Sequence, residues 1–121
     1  MKKTIIALLL ITAGAKAQTT TPDSAKYFEG SLKIVCGHVS GTYTGKSGAI
    51  FINFEKPFPH SEFSAVIMPG DTAKFKKWNP AVYLKDKDVC VTGMIKMYKD
   101  KPEIIIKSPD QVKIPGEKSQ Y

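Results

Sequence analysis

Residues 88–106 read DVCVTGMIKMYKDKPEIII, and they dictate what the rest of the chain must supply. Residues 88–98 alternate β-branched or long apolar side chains with others around Gly93, and 103–106 form a short apolar run. Lys99, Asp100, Lys101 and Pro102 lie between them as a polar turn, so the pattern predicts a β-hairpin with a basic tip. A lone hairpin is only marginally stable in water, because it cannot bury its one apolar face. The chain upstream must therefore provide a sheet for it to close.

Immediately upstream, residues 72–84 carry Phe75, Trp78, Val82 and Leu84 around Pro80, which allows only a short, interrupted helical segment. Trp78 there is either a plug over an open barrel end or an exposed anchor for a partner. Pro69, Gly70 and Asp71 end a strand expected over 62–68 (EFSAVIM). Pro57 and Pro59 separate it from another over 49–54 (AIFINF), since two prolines deny the ladder two donors. In that strand Ile50, Ile52 and Phe54 share one face and Phe51 and Asn53 the other; the reverse phase is open, because both faces are largely apolar. Residues 31–44 make a long first strand whose Gly37 marks an expected bend or bulge, and 45–48 (GKSG) make the turn after it. At the far end Val112 and Ile114 offer a last edge contact.

The termini carry a different signal. Lys2 and Lys3 precede an apolar run over 5–13, and Ala15-Lys16-Ala17 is a small-x-small cleavage pattern, so 1–17 is expected to be a secretory signal peptide. The run is short for a membrane span, and no stable membrane insertion is expected once it is removed. Residues 18–27 are Thr-rich and polar, and read as a flexible spacer in which Asp23 or Ser24 caps one helical turn at most; 28–115 form the domain, and 116–121 a disordered tail. The location expected is periplasmic or secreted. Without Lys2, Lys3 and Lys16 the charge falls from +7 to +4, fifteen lysines against eleven acids. No arginine occurs, which argues against base-specific readout of duplex DNA, where the planar guanidinium fork is the common tool.

Five strands, with an irregular helix between the third and fourth, match the all-β OB-fold, a five-stranded Greek-key barrel with one short helical segment. The sequences CGHV (36–39), IFINF (50–54), FSAVI (63–67), VCVTGMI (89–95) and YKDKPEI (98–104) also resemble a group of small exported bacterial OB-fold domains. Such domains are labelled nucleic-acid-binding by fold and are similar in architecture to the thermonuclease-type barrel. What this resemblance implies is the barrel without the nuclease site.

Alternation places Cys36 and Cys90 on matching faces of the first and fourth strands, which are antiparallel neighbours in an OB barrel. A disulfide is expected in an exported chain, two buried free thiols being the alternative. His38 and His60 have no second ligand at a metal-site interval, so no metal is expected. No G-x-S-x-G, H-E-x-x-H or P-loop appears and the acids are scattered among lysines, so no catalytic residue, cofactor or enzymatic activity is expected. The candidate surface is the face of strands two and three with the loops beside it. Tyr43 and Lys46 come from the first loop, Phe51 and Asn53 from the second strand, and Lys96, Tyr98, Lys99 and Lys101 from the hairpin. Rings for stacking beside lysines for phosphates suit single-stranded nucleic acid without sequence preference. The alternative is an envelope protein or small ligand on the same loops, with the lysines keeping the domain soluble.

Overall fold

Val35, Val39, Val89 and Val91 are fully buried while Cys36 and Cys90 between them are half-buried, so both strands alternate with the period of two written in their sequence. The computed structural model describes residues 16–118. Its strands are β1 (Gln18–Thr20), β2 (Leu32–Thr44), β3 (Ile50–Phe54), β4 (Phe63–Ile67), β5 (Asp88–Met94), β6 (Lys96–Tyr98), β7 (Lys101–Ile106) and β8 (Val112–Lys113). One α-helical turn, α1 (Pro80–Tyr83), starts at Asn79, whose side chain accepts from the Ala81 N–H, with Pro80 at the first helical position.

The sheet runs β6-β7-β4-β3-β2-β5-β8, with β1 added in parallel to β2. β2 is long enough to serve two neighbours. Residues 32–38 pair with β5, and 39–44 pair with β3. β5 and β6 are two parts of one predicted strand, separated at Ile95: β5 pairs with β2, and β6 with β7. That split strand connects the two ends of the sheet and gives the predicted OB-fold barrel, left partly open, with β1 and β8 as short additions. Inside lie Phe54 and Phe63, ring centroids 5.2 Å apart, with Ile52, Ile67, Leu84, Ile95, Ile104 and Ile106.

Three expectations change. The hairpin is only 96–98 against 101–103, because Lys99 and Asp100 both take positive φ (51° and 65°) in the tight turn that suits right-twisted strands. Lys101 and Pro102 therefore belong to β7 rather than to the turn. The irregularity in β2 lies between Val39 and Gly41, not at Gly37, which sits in regular register opposite Val89. A Cβ at Gly37 would come within 2.6 Å of both Pro22 Cγ and Glu55 Oε2, so glycine there permits close approach. Finally, residues 18–27 are not a free spacer. β1 pairs with residues 33–35, Pro22 is buried, and Ala25 joins the core from a 3-10 turn over Ala25–Phe28. β3 reaches only the second half of β2, so the first half has an open edge, and a largely polar segment closes it by backbone pairing.

The leader predicted over 1–17 lies outside the described residues except for Lys16 and Ala17, and the tail is described only to Lys118. Within that tail Glu117 accepts from the Tyr83 hydroxyl at 2.8 Å. Trp78 stacks on Tyr83, centroids 4.7 Å apart, and packs against the core, the arrangement expected of a plug. Cys36 and Cys90 are direct ladder partners, Cα atoms 4.0 Å apart, and are joined by a disulfide. Such a bond persists in oxidising, extracytoplasmic surroundings. No helix among the described residues is long and apolar enough to cross a membrane.

Candidate functional site

Ile50, Ile52 and Phe54 point into the barrel, so Phe51 and Asn53 take its outward face. The ladder then sets side chains in rows across that face. Tyr43, Phe51, Val66 and Ile105 form one row; Asn53, Ser64, Glu103 and Lys96 form the next. A cleft of about 570 Å³ opens over part of these rows. Its walls are Tyr43, Phe51, Phe58, Pro59, Tyr98 and Pro102, its floor Asn53, Ser61, Ser64 and Glu103, and its rim Lys99 and Lys101. Tyr43, Phe58 and Tyr98 are each more than half exposed, a large cost in wetted apolar surface for a small domain.

Each wall is positioned by a local cause. Tyr43 is the ladder partner of Phe51, with ring centroids 6.0 Å apart. Tyr98 and Lys99 sit at the tight hairpin turn, the Lys99 ammonium 5.3 Å from the Tyr98 ring centroid. Lys101 Nζ donates to the Pro59 carbonyl, tying the hairpin to the proline turn that carries Phe58. Burial raises the Glu103 carboxyl above the ordinary carboxylate value, and Lys96 opposite it acts the other way.

Six of the eight predicted residues line this cleft: Tyr43, Phe51, Asn53, Tyr98, Lys99 and Lys101. Lys46, in the turn after β2, and Lys96, at the outer end of its row, do not. Asn53 faces outward as its phase requires, yet it is only 5% exposed and offers no ring-like surface. Its Oδ1 accepts from Ser64 Oγ at 2.7 Å and from Ser61 Oγ at 3.4 Å, because residues 58–61 return over that end of β3. Sequence reasoning missed Phe58, Pro59, Ser61, Ser64, Pro102 and Glu103. Ser64 and Glu103 were accessible from strand alternation, and Phe58 from the oddity of a large apolar residue between two prolines. Neither histidine lines the cleft: His60 lies in the turn between Pro59 and Ser61, and His38 Nδ1 meets Asp88 Oδ1 at 3.1 Å on the β2–β5 side.

No family model and no curated protein matches the chain. Solved structures do match. An OBody bound to hen egg-white lysozyme is 16% identical with a TM-score of 0.58, over 88% of this chain and 100% of that one. The chain is an OB-fold protein. Aspartyl-tRNA synthetase from Entamoeba histolytica is 11% identical, TM-score 0.55, over 100% of this chain and 29% of the enzyme. Asparaginyl-tRNA synthetase from the same organism is 14% identical, TM-score 0.52, over 87% and 25%. The OB-fold chain thus spans between a quarter and a third of those synthetases, and at such identities the likeness is one of fold.

Proposed function

We propose that this chain is an exported binding module, not an enzyme, whose cleft takes single-stranded nucleic acid with little dependence on sequence. The observation that carries the reading is the set of three exposed rings, Tyr43, Phe58 and Tyr98, around one cleft with Lys99 and Lys101 at its rim. Bases have a π-face whatever their identity, so such walls stack any of them, while rim lysines follow the phosphates. The tRNA synthetases of the same fold are in keeping with this class of ligand. The Cys36–Cys90 bond and the leader pattern over 1–17 support a periplasmic or secreted location.

Titration of a labelled oligonucleotide of about eight nucleotides at low and moderate salt tests it. Binding should weaken steeply as salt rises, through counterion release. Tyr98→Ala should cost about 1–3 kcal/mol of binding, the usual worth of one stacked base. Lys99→Ala should flatten the salt dependence by roughly one phosphate contact. No binding at low salt, or indifference to both substitutions, ends the reading.

A second reading, an envelope protein or small ligand in the same cleft, draws on Phe58, the most exposed large apolar side chain described, at 77%. The OBody of the same fold was solved with a protein bound. Apolar docking of that kind should barely respond to salt, which separates it from the first.

A further inference from the structure

We propose that the row Asn53, Ser64, Glu103 makes the floor of the cleft a subsite that prefers guanine at one position of a strand whose other bases are taken without regard to sequence; the inference rests on the cleft being a nucleic-acid site. The aromatic walls accept any base by its face, so discrimination has to come from polar groups that meet a base edge.

Asn53 is nine-tenths buried yet lines the cleft. The hydroxyls of Ser64 and Ser61 both occupy its Oδ1, so the Nδ2 amino group is the half of the amide left to donate. Ser64 follows Asn53 in the ladder, and Glu103 follows Ser64. A donor and a carboxylate therefore flank one hydroxyl, their backbones two strand spacings, about 9–10 Å, apart. The glutamate side chain is long enough to reach back across part of that gap. Being half-buried, its carboxylate has given up some hydration, and it gains most from a ligand that supplies two donors at once.

Guanine does so. Along its Watson–Crick edge the amino N2–H and ring N1–H lie side by side, two donors for Glu103, and O6 follows as an acceptor for Asn53 Nδ2. Adenine and cytosine offer a carboxylate one donor each. The imide N–H of thymine or uracil is flanked by two carbonyl oxygens, which a carboxylate repels. A ringed cleft with a carboxylate also suits an alkylammonium cation, but Lys99 and Lys101 at the rim oppose one by like charge and favour an anionic perimeter. One carboxylate inside and lysines outside is the charge order of a nucleotide turned inside out.

The purified chain is titrated with an oligo-dT of about eight nucleotides and with the same strand carrying one central dG, dA or dC. The dG strand should bind roughly tenfold more tightly than oligo-dT, the low end for a single two-point base contact, with dA and dC between. Glu103→Gln should remove the dG increment over oligo-dT. Equal affinity for the four strands, dA or dC matching dG, or an increment that survives Glu103→Gln overturns the subsite and leaves the cleft reading intact. No binding of any strand at low salt overturns both. Competition on the unsubstituted chain gives a readout independent of folding of the variant: guanosine monophosphate should displace the oligo-dT at lower concentration than uridine monophosphate, and the reverse order overturns the subsite.

Discussion

Two outward surfaces of this barrel start from the same strand alternation and are finished in opposite ways. On the β2–β5 side, outward residues pair across the ladder: Ile34 with Thr92, the Cys36–Cys90 bond, His38 with Asp88, and Leu32 with Met94, the last two pairs still exposed at the strand ends. On the β3–β4–β7 side partners also meet, Tyr43 with Phe51 and Asn53 with Ser64, but they leave a cleft above them. Asn53, Ser64 and Glu103 lie below open space, and Tyr43, Phe58 and Tyr98 keep more than half their surface wet around it. Cross-strand pairs stabilise the sheet on both sides, so what distinguishes this one is its wet aromatic surface, which the proposed ligand would cover. On the proposed reading, the difference separates fold maintenance from recognition within one small sheet.

The strongest way to break that separation is to open the staple. The two cysteines are 54 residues apart, and the chain-entropy model gives the bond about 4 kcal/mol. Urea unfolding with and without reductant should show a loss of that order, while the still-folded fraction keeps its oligonucleotide affinity. A reduced protein that stays folded but loses binding would show that the two surfaces are coupled. Gly93→Ala should come next. Its Cβ would stand 2.5 Å from Ile104 Cγ2 inside the barrel, an overpacking worth about 1–3 kcal/mol in the same unfolding experiment, again with binding unchanged. Phe58→Ala inverts the pattern. Being 77% exposed, it should alter stability by about 0.5 kcal/mol or less yet weaken oligonucleotide binding by about 1 kcal/mol.

Why the closed surface was legible and the open one only in part follows from the same contrast. Val35, Val39, Val89 and Val91 announce their inward face by alternation, and two cysteines in matching phase on neighbouring strands leave one geometry to try. The cleft is made by tertiary return. Phe58, Pro59 and Ser61 belong to a turn that no periodicity describes, and only the fold brings them over Asn53, so a residue expected on an open surface became a buried floor. The strap over residues 18–27 was missed for a related reason: an edge is closed by peptide groups, which every residue carries, and composition does not report them. The divided strand was hidden as well, since β5 and β6 read as one alternating run until their different partners are known.

The smallest expected effect tests how dry the open surface is. Burial makes the Glu103 carboxyl more basic in the folded chain than its ordinary value of 4.5, against the opposing pull of Lys96. Folding then favours the protonated form, so the favourable contribution is fully present below the unfolded value and is lost as pH rises through the raised folded one. Glu103→Gln removes the ionisation with little change of shape. Its urea midpoint should lie slightly above that of the parent at neutral pH, and the gap should close as pH falls below about 4, where the parent carboxyl is also neutral. A gap that does not change with pH would mean that water reaches this carboxylate freely. Guanine selectivity would then lack its cause, because a fully hydrated carboxylate gains little by exchanging water for a base edge. Asp88, exposed on the closed surface beside His38, is the internal control: its contact with the imidazole lies in water, where even a charged pair contributes about 0–1 kcal/mol, and Asp88→Asn should leave oligonucleotide binding untouched.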